Sequence, residues 1–325
     1  MSRCDEYFIE MCRDILENGI TTEGEKVRPH WDDGTPAYTI KKFGQITRYN
    51  LKEEIPILTL RRTPVKSSLD ELLWIWQRKS NNIHDFGAKI WDAWADETGS
   101  IGKAYGYQMA KKYRCRDVSR EGLEAAFDGY EFAVDSERTV FRDPESGREA
   151  AVLGEDGVWL VDQVDKVIYD LKNTPYSRRI MTTIWNPGEL AEMNLQPCAY
   201  SMTFNVTVNQ ETDRLVLNGI LNQRSQDILS AFAWNEYQYG GALMAMMAQV
   251  CDMEPGEFIH IDADAHIYDR HVDAIKELCS RTPQPAPKLW INPEIHDFYQ
   301  FTVDDIRLEN YEVAGPQITN IPVAV

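Results

Sequence analysis

Leu195-Gln196-Pro197-Cys198-Ala199-Tyr200 sets a thiol beside a proline, downstream of Tyr176-Ser177-Arg178-Arg179 and upstream of Asn222-Gln223-Arg224-Ser225-Gln226-Asp227. A thiol attacks as its thiolate, and guanidinium groups nearby favour that form by lowering the pKa. Cys198 is therefore the nucleophile candidate. A lone cysteine is more commonly a small buried hydrophobe, so its neighbours decide the reading.

Those neighbours form an ordered series. Ser177-Arg178-Arg179, Pro197-Cys198, Gln223-Arg224-Ser225-x-Asp227 with Asn235 beyond it, and Asp264-Ala265-His266-Ile267-Tyr268 follow one another along the chain. In this order and spacing the sequence resembles the thymidylate synthase family, from about Asp5 to Val325 with one interruption. The resemblance implies an α/β (α+β) fold: a mixed β-sheet with surrounding helices, whose flat face packs in a symmetric homodimer. It implies a single domain over residues 1–325, with 113–159 a polar surface insert or small subdomain. The implied reaction converts 2′-deoxyuridine 5′-monophosphate to thymidylate with 5,10-methylenetetrahydrofolate, giving dihydrofolate. Folate supplies both carbon and hydride, so neither metal nor nicotinamide is expected.

The resemblance also implies roles. Cys198 adds to carbon 6 of uracil, which turns a poor nucleophile at carbon 5 into an enolate. Glu71 and Asn235 stabilise the charge that develops, Tyr105 serves the removal of the carbon 5 proton, and Arg224 and Asp227 complete the catalytic set. Arg28, Arg178, Arg179, Arg224 and Ser225 clamp the phosphate, a task suited to planar guanidinium groups. Arg178 and Arg179 come from the other subunit. Gln226, Asp227, Asn235, His266, Ile267 and Tyr268 complete the nucleotide set, with the histidine and tyrosine at the sugar hydroxyl. Arg61, Trp91, Asp227, Ala231 and Ala324 fall on the folate side, where the C-terminal tail closes.

Some positions depart from the family pattern. Ala231-Phe232-Ala233-Trp234 stands where most members have a glycine and then Pro-Phe, Ala199 where a histidine follows the cysteine, and Pro64 at a folate-side histidine position. These changes keep open a pyrimidine nucleotide hydroxymethylase, in which water captures the exocyclic methylene. A second alternative is a metal-binding protein, because His260, Asp262, Asp264 and His266 share one face if their stretch is a strand.

Bulk properties narrow the classes. The 325 residues carry 52 acidic against 34 basic side chains, a net charge of -18, which argues against a general nucleic-acid binder. Cysteines 4, 12, 115, 198, 251 and 279 form no CxxC pair, consistent with reduced thiols in a cytoplasm. No run of about 18 apolar residues suggests a membrane span.

Local patterns give the elements. Phe8, Met11, Cys12, Ile15 and Leu16 mark a helix over 5–18 that stops at Asn18-Gly19. Arg28 falls in a loop rich in proline and glycine. Apolar stretches at 46–49 and 55–60 read as strands, and 67–79 as a helix with Glu71 on the face of Leu72, Ile75 and Trp76. A carboxyl held in apolar surroundings has its pKa raised, as a proton relay requires. Residues 90–96 and 102–106 read as loops with aromatic content, where exposed rings would suit stacking on a flat ligand and burial in the core is the commoner explanation. Strand character appears at 139–141 and 149–153. Val161, Val164, Ile168 and Leu171 suggest a helix, 200–208 and 214–221 a strand pair, and 235–251 a buried helix.

Overall fold

A computed structural model describes residues 2–325. Its helices are α1 (Arg3–Asn18), α2 (Val65–Trp76), α3 (Gly106–Ala110), α4 (Arg120–Ala126), α5 (Gln163–Asn173), α6 (Phe232–Asn235), α7 (Met244–Val250) and α8 (Val272–Ser280). The strands are β1 (Ile20–Thr21), β2 (Thr39–Asn50), β3 (Lys112–Cys115), β4 (Glu131–Asp135), β5 (Arg138–Arg142), β6 (Glu149–Leu153), β7 (Trp159–Asp162), β8 (Met181–Thr183), β9 (Ala199–Val208), β10 (Leu215–Gln223), β11 (Gln226–Asp227), β12 (Glu254–Tyr268), β13 (Lys288–Ile291) and β14 (Ile306–Glu309).

The main sheet runs β1-β2-β12-β10-β9-β8, with β11 against the end of β12. It is mixed: β12 pairs antiparallel to β2 and parallel to β10, while β9 and β10 form the expected antiparallel pair. Phe258, Leu217, Leu221, Met202, Phe204 and Tyr49 are buried in the core. On the opposite face the register sets Ile261 level with both Ile46 and Asn222. Ile46 there is 58% exposed.

A second sheet, β3-β7-β6-β5-β4, is antiparallel throughout. Phe141, Ala150, Ala151 and Val161 bury it in the same core as α5. Arg148 ties it down with a guanidinium 2.8 Å from the buried Asp165 carboxylate and over the Tyr299 ring.

Three expectations need correction. The run 55–60 is buried but forms no strand, because other groups occupy its backbone. The Asp5 carboxylate accepts from Thr59 N, Thr59 Oγ1 and Leu60 N, Tyr311 Oη donates to Leu58 O, and Ala314 N donates to Thr59 O. Val161 belongs to β7, and α5 begins two residues later, where Asp162 Oδ1 accepts from Val164 N and Asp165 N at 3.0 Å. That is an N-cap, which starts a helix at a fixed residue. The buried rod at 235–251 is helical, but Glu236–Leu243 is a π-helix joining α6 to α7. Gly240 sits where a Cβ would meet Phe258 and Pro56 at 2.5 Å, so only glycine allows the rod so close to β12.

Asp5→Ala leaves two buried N–H groups and one hydroxyl without their acceptor. It should cost about 3 kcal/mol of stability, read as a lower urea midpoint. Asp5→Asn, which keeps an acceptor oxygen, should lose less.

Candidate active site

Cys198 immediately precedes β9, at a bulge where Ala199 pairs with Gln223. Arg224, just after β10, donates from Nε to Pro197 O at 2.9 Å and from a terminal nitrogen to Gln196 O at 2.8 Å. The same terminal nitrogen lies 3.6 Å from Cys198 Sγ. A guanidinium is thus locked against the thiol by the backbone that carries the thiol. The expected depression of the Cys198 pKa does not survive as a net effect. Burial raises it above the ordinary thiol value, Arg224 and Arg28 pull it down, and Asp262 adds to the rise. Two arginines therefore offset desolvation in part.

Tyr105 accepts the Cys198 N–H at 3.2 Å through its hydroxyl oxygen, which leaves the phenolic proton for another acceptor. Its backbone is left-handed at φ 45. The next residue, Gly106, has no room for a Cβ, which would meet Ser80 O at 2.0 Å. Tight turns on both sides thus aim the phenol at the thiol.

Glu71 is buried on α2, as its helix face requires. Trp91 Nε1 donates to one carboxylate oxygen at 3.1 Å and Trp234 Nε1 to the other at 2.5 Å. Burial raises the carboxyl to about 7, against the pull of Trp234, Trp91 and Gln238. Trp91 is buried, with its ring edge-on to Tyr105 at 4.8 Å. Of the two readings of this aromatic stretch, burial in the core is the one found at Trp91, whose donor serves Glu71.

A second polar chain lies beneath Asn235. Gln223 Nε2 donates to Ser225 O, which fixes Gln223 Oε1 as the acceptor for Asn235 Nδ2 at 2.9 Å. His260 Nε2 lies 3.1 Å from that oxygen, and its Nδ1 is 3.3 Å from the buried Glu236. Asn235 keeps its carbonyl and one N–H free for a ligand. Both oxygens of buried Asp262 and the Nε2 of buried Gln226 lack a hydrogen-bond partner among the described residues. Burial pushes the Asp262 carboxyl up to about 6.

At the other end of β12, His266 Nδ1 lies 3.0 Å from Asp264 Oδ1, and the His266 and Tyr268 rings meet edge-on at 5.1 Å. The intervening Ile267 side chain is fully buried in the core, so strand alternation directs it away from these two. Arg28 is exposed, yet its charge is felt at both Tyr268 and Cys198.

Asp227 Oδ2 accepts from Ser230, and Oδ1 accepts from Leu229 N and faces His271 Nδ1 at 3.3 Å. Burial opposes the Asp227 charge, but the bonds and charges of His271, His266 and Ser230 hold it below the usual carboxylate range. His271 Nε2 is 2.9 Å from Pro322 O, and the Val325 backbone pairs with His30 in both directions. The tail carrying Ala324 is so clasped between β12's end and the loop of Arg28. Arg61 is buried and donates to Leu229 O at 2.6 Å, and Ala231 N donates to Asp227 O. Ser225 and Gln226 flank this turn.

Arg178 and Arg179 are exposed and stand apart. Arg179 is felt at Asp117, and the arginines that act most on Cys198 are Arg224 and Arg28.

Sequence reasoning missed Trp234 as a partner of Glu71, and Gln223 and His260 as the support of Asn235. The polar character of Gln223 and His260 within apolar strands was the available signal. The metal alternative gains no support: among the described residues no three His, Cys, Asp or Glu side chains are grouped to hold an ion, and His260 is engaged by Gln223 and Glu236.

Known proteins resemble this chain across nearly its whole length. The sequence model of thymidylate synthase matches residues 6–325. Thymidylate synthase 1 of Bacillus subtilis (strain 168) is 38% identical over 320 residues, covering 96% of each chain. The thymidylate synthase of Bacillus phage phi3T is 38% identical over 316 residues, again covering 96% of each. The solved structure of thermostable thymidylate synthase A from Bacillus subtilis superposes with a TM-score of 0.77 at 36% identity, covering 99% of both chains. None of these relatives is a hydroxymethylase by name, and with this match across its length the chain belongs to the thymidylate synthase family.

Proposed function

We propose that this chain catalyses the reductive methylation of 2′-deoxyuridine 5′-monophosphate, with 5,10-methylenetetrahydrofolate as donor of carbon and hydride. A member of this family is a methyltransferase. The observation that carries the reading is the Cys198 thiol held against Arg224 with Tyr105 on its backbone amide.

The residue roles follow from chemistry. Cys198, as thiolate, forms a bond to carbon 6, and the electron pair displaced from the ring double bond rests on the carbonyl as an enolate. The free carbonyl and N–H of Asn235 match the N3–H and O4 of uracil. Glu71, with a pKa near neutrality, gives up and takes back a proton at the base without a large penalty. Tyr105 has a phenolic proton to offer beside Cys198. Breaking the carbon 6 to sulfur bond at the end of the cycle returns Cys198 to its starting state. Orphaned polar atoms on Asp262 and Gln226 suit a polar ligand.

Folate contacts fall to Arg61, Trp91, Asp227, Ala231 and the tail at Ala324. His266, Tyr268 and the backbone of Ile267 serve the sugar, and Arg28, Arg224 and Ser225 the phosphate. We take the chain as one unit over 1–325, in which 113–159 adds most of a second sheet that shares the core. The free state of all six cysteines suits a cytoplasmic protein, and among the described residues no helix is long and apolar enough to cross a membrane.

A homodimer accounts for two features. Ile46, Ile220, Ile259 and Ile261 lie on the sheet face that one chain leaves uncovered, and apolar surface of that kind favours burial. Arg178 and Arg179, both exposed, are available to a neighbour's phosphate site.

Incubation with the nucleotide and methylenetetrahydrofolate should produce dihydrofolate, followed by absorbance, in step with thymidylate by mass. A hydroxymethyl product without dihydrofolate would overturn the assignment. Cys198→Ala should lose turnover by at least about four orders of magnitude, because covalent activation of the ring is removed. Nucleotide affinity, measured calorimetrically, should stay within about tenfold, since the phosphate clamp is intact. Mixing an Arg178→Ala/Arg179→Ala chain with a Cys198→Ala chain should restore activity, because each heterodimer holds one complete site. No recovery after verified subunit exchange would mean that every chain builds its own site.

A further inference from the structure

Glu71 is the one group in the site whose two oxygens are both held by aromatic N–H donors. Trp91 approaches from the 3₁₀ turn Lys89–Trp94, and Trp234 approaches from α6, one residue before Asn235. The Trp234 backbone is itself pinned to α2, since Ser68 Oγ donates to Trp234 O at 3.3 Å, and Gln238 Nε2 donates back to Ser68 O at 3.0 Å. The indole is thus fixed at both ends.

We propose that Trp234 is a positioning residue: its indole N–H holds Glu71 in its relay orientation, favours the ionised carboxylate, and couples it to the helix that presents Asn235. The proposal rests on the relay role given to Glu71 above and adds the residue that tunes it. An N–H aimed at a carboxylate stabilises the charged form and must be matched against desolvation, which favours the neutral acid. Trp91 supplies one such donor and Trp234 the other. Gln238 acts in the same direction.

The other titratable groups around Glu71 do not carry a compensating charge. Tyr105, from the turn before α3, and Tyr239, from the π-helix, both feel Glu71, and burial raises both phenols so that they stay neutral. Asp70, the neighbour on α2, is engaged instead by Arg78 and Gly87 N. Without an indole N–H at Oε2, Glu71 therefore has no cation to take its place.

The test replaces the donor and keeps the shape. Trp234→Phe removes the N–H, and a variant with benzothienylalanine at 234 replaces it by sulfur in a ring of the same size. Isotope-edited infrared spectroscopy of ligand-free protein, with the Glu71 band assigned by Glu71→Gln, reads the carboxyl titration directly. Both variants should raise the Glu71 pKa by about one unit, the size expected for losing one hydrogen bond to a charged group. In turnover, the limb of the kcat profile that disappears in Glu71→Gln should move to higher pH by the same amount, with the nucleotide KM nearly unchanged. A Glu71 titration that stays at its wild-type position in the benzothienyl variant overturns the proposal. So does a uniform loss of kcat at every pH with no displacement of the limb, which would make Trp234 a packing residue. Because the titration is read without substrate, its outcome is separate from whether the wild type forms thymidylate.

Discussion

The contact between the Arg224 guanidinium and Cys198 Sγ is the constraint on which the site depends. Arg224 is held by the carbonyls of Gln196 and Pro197, so the residue that favours the thiolate is fixed by the segment that bears it. That geometry exists only because β9 and β10 pair through a bulge at Ala199 and Gln223, which brings residues 26 apart into contact. The sheet positions the chemistry, and β12 beside β10 adds Asp262, His260 and His266 to the same region.

Desolvation is the recurring cost. Cys198 is half-buried and Glu71 buried, and for both the largest influence, desolvation, disfavours the charged form. Different groups answer it: positive charge from Arg224 and Arg28 at the thiol, neutral N–H donors from Trp91, Trp234 and Gln238 at the carboxyl. A cation at Glu71 would lock it as carboxylate, whereas indole donors leave it titrating near neutral pH, where proton transfer in both directions is cheap. At the thiol a cation favours the thiolate, the form in which a thiol attacks.

What the sequence disclosed and what it hid follow from the range of the interactions. The order of the cysteine, arginine and His266-x-Tyr268 motifs is a local pattern, and helix spacing alone puts Glu71 on a buried face. The strand pair 200–208 with 214–221 and the long strand through His260 also rest on short-range alternation. By contrast, Ile55–Leu60 has the composition of a strand, and only Asp5, some 54 residues earlier, shows why it is not one. Trp234 stood out in sequence as a departure from a pattern, but its bond to Glu71 spans 163 residues. The pKa of Cys198 divides in the same way: the arginines that lower it are visible in sequence, whereas the burial that raises it is a property of the finished fold.

The central claim is that Cys198 attacks the pyrimidine ring. A nucleotide with fluorine at carbon 5 has no proton to surrender there, so an adduct formed at carbon 6 cannot proceed to product and accumulates. Incubation of the protein with 5-fluoro-2′-deoxyuridine 5′-monophosphate and methylenetetrahydrofolate, followed by acid quench and peptide mass mapping, reads that bond. The account predicts that the peptide containing Cys198 gains the mass of the nucleotide joined through carbon 5 to the folate methylene. An adduct on any of the other cysteines, or an unmodified Cys198 peptide from a preparation that forms thymidylate, would contradict it.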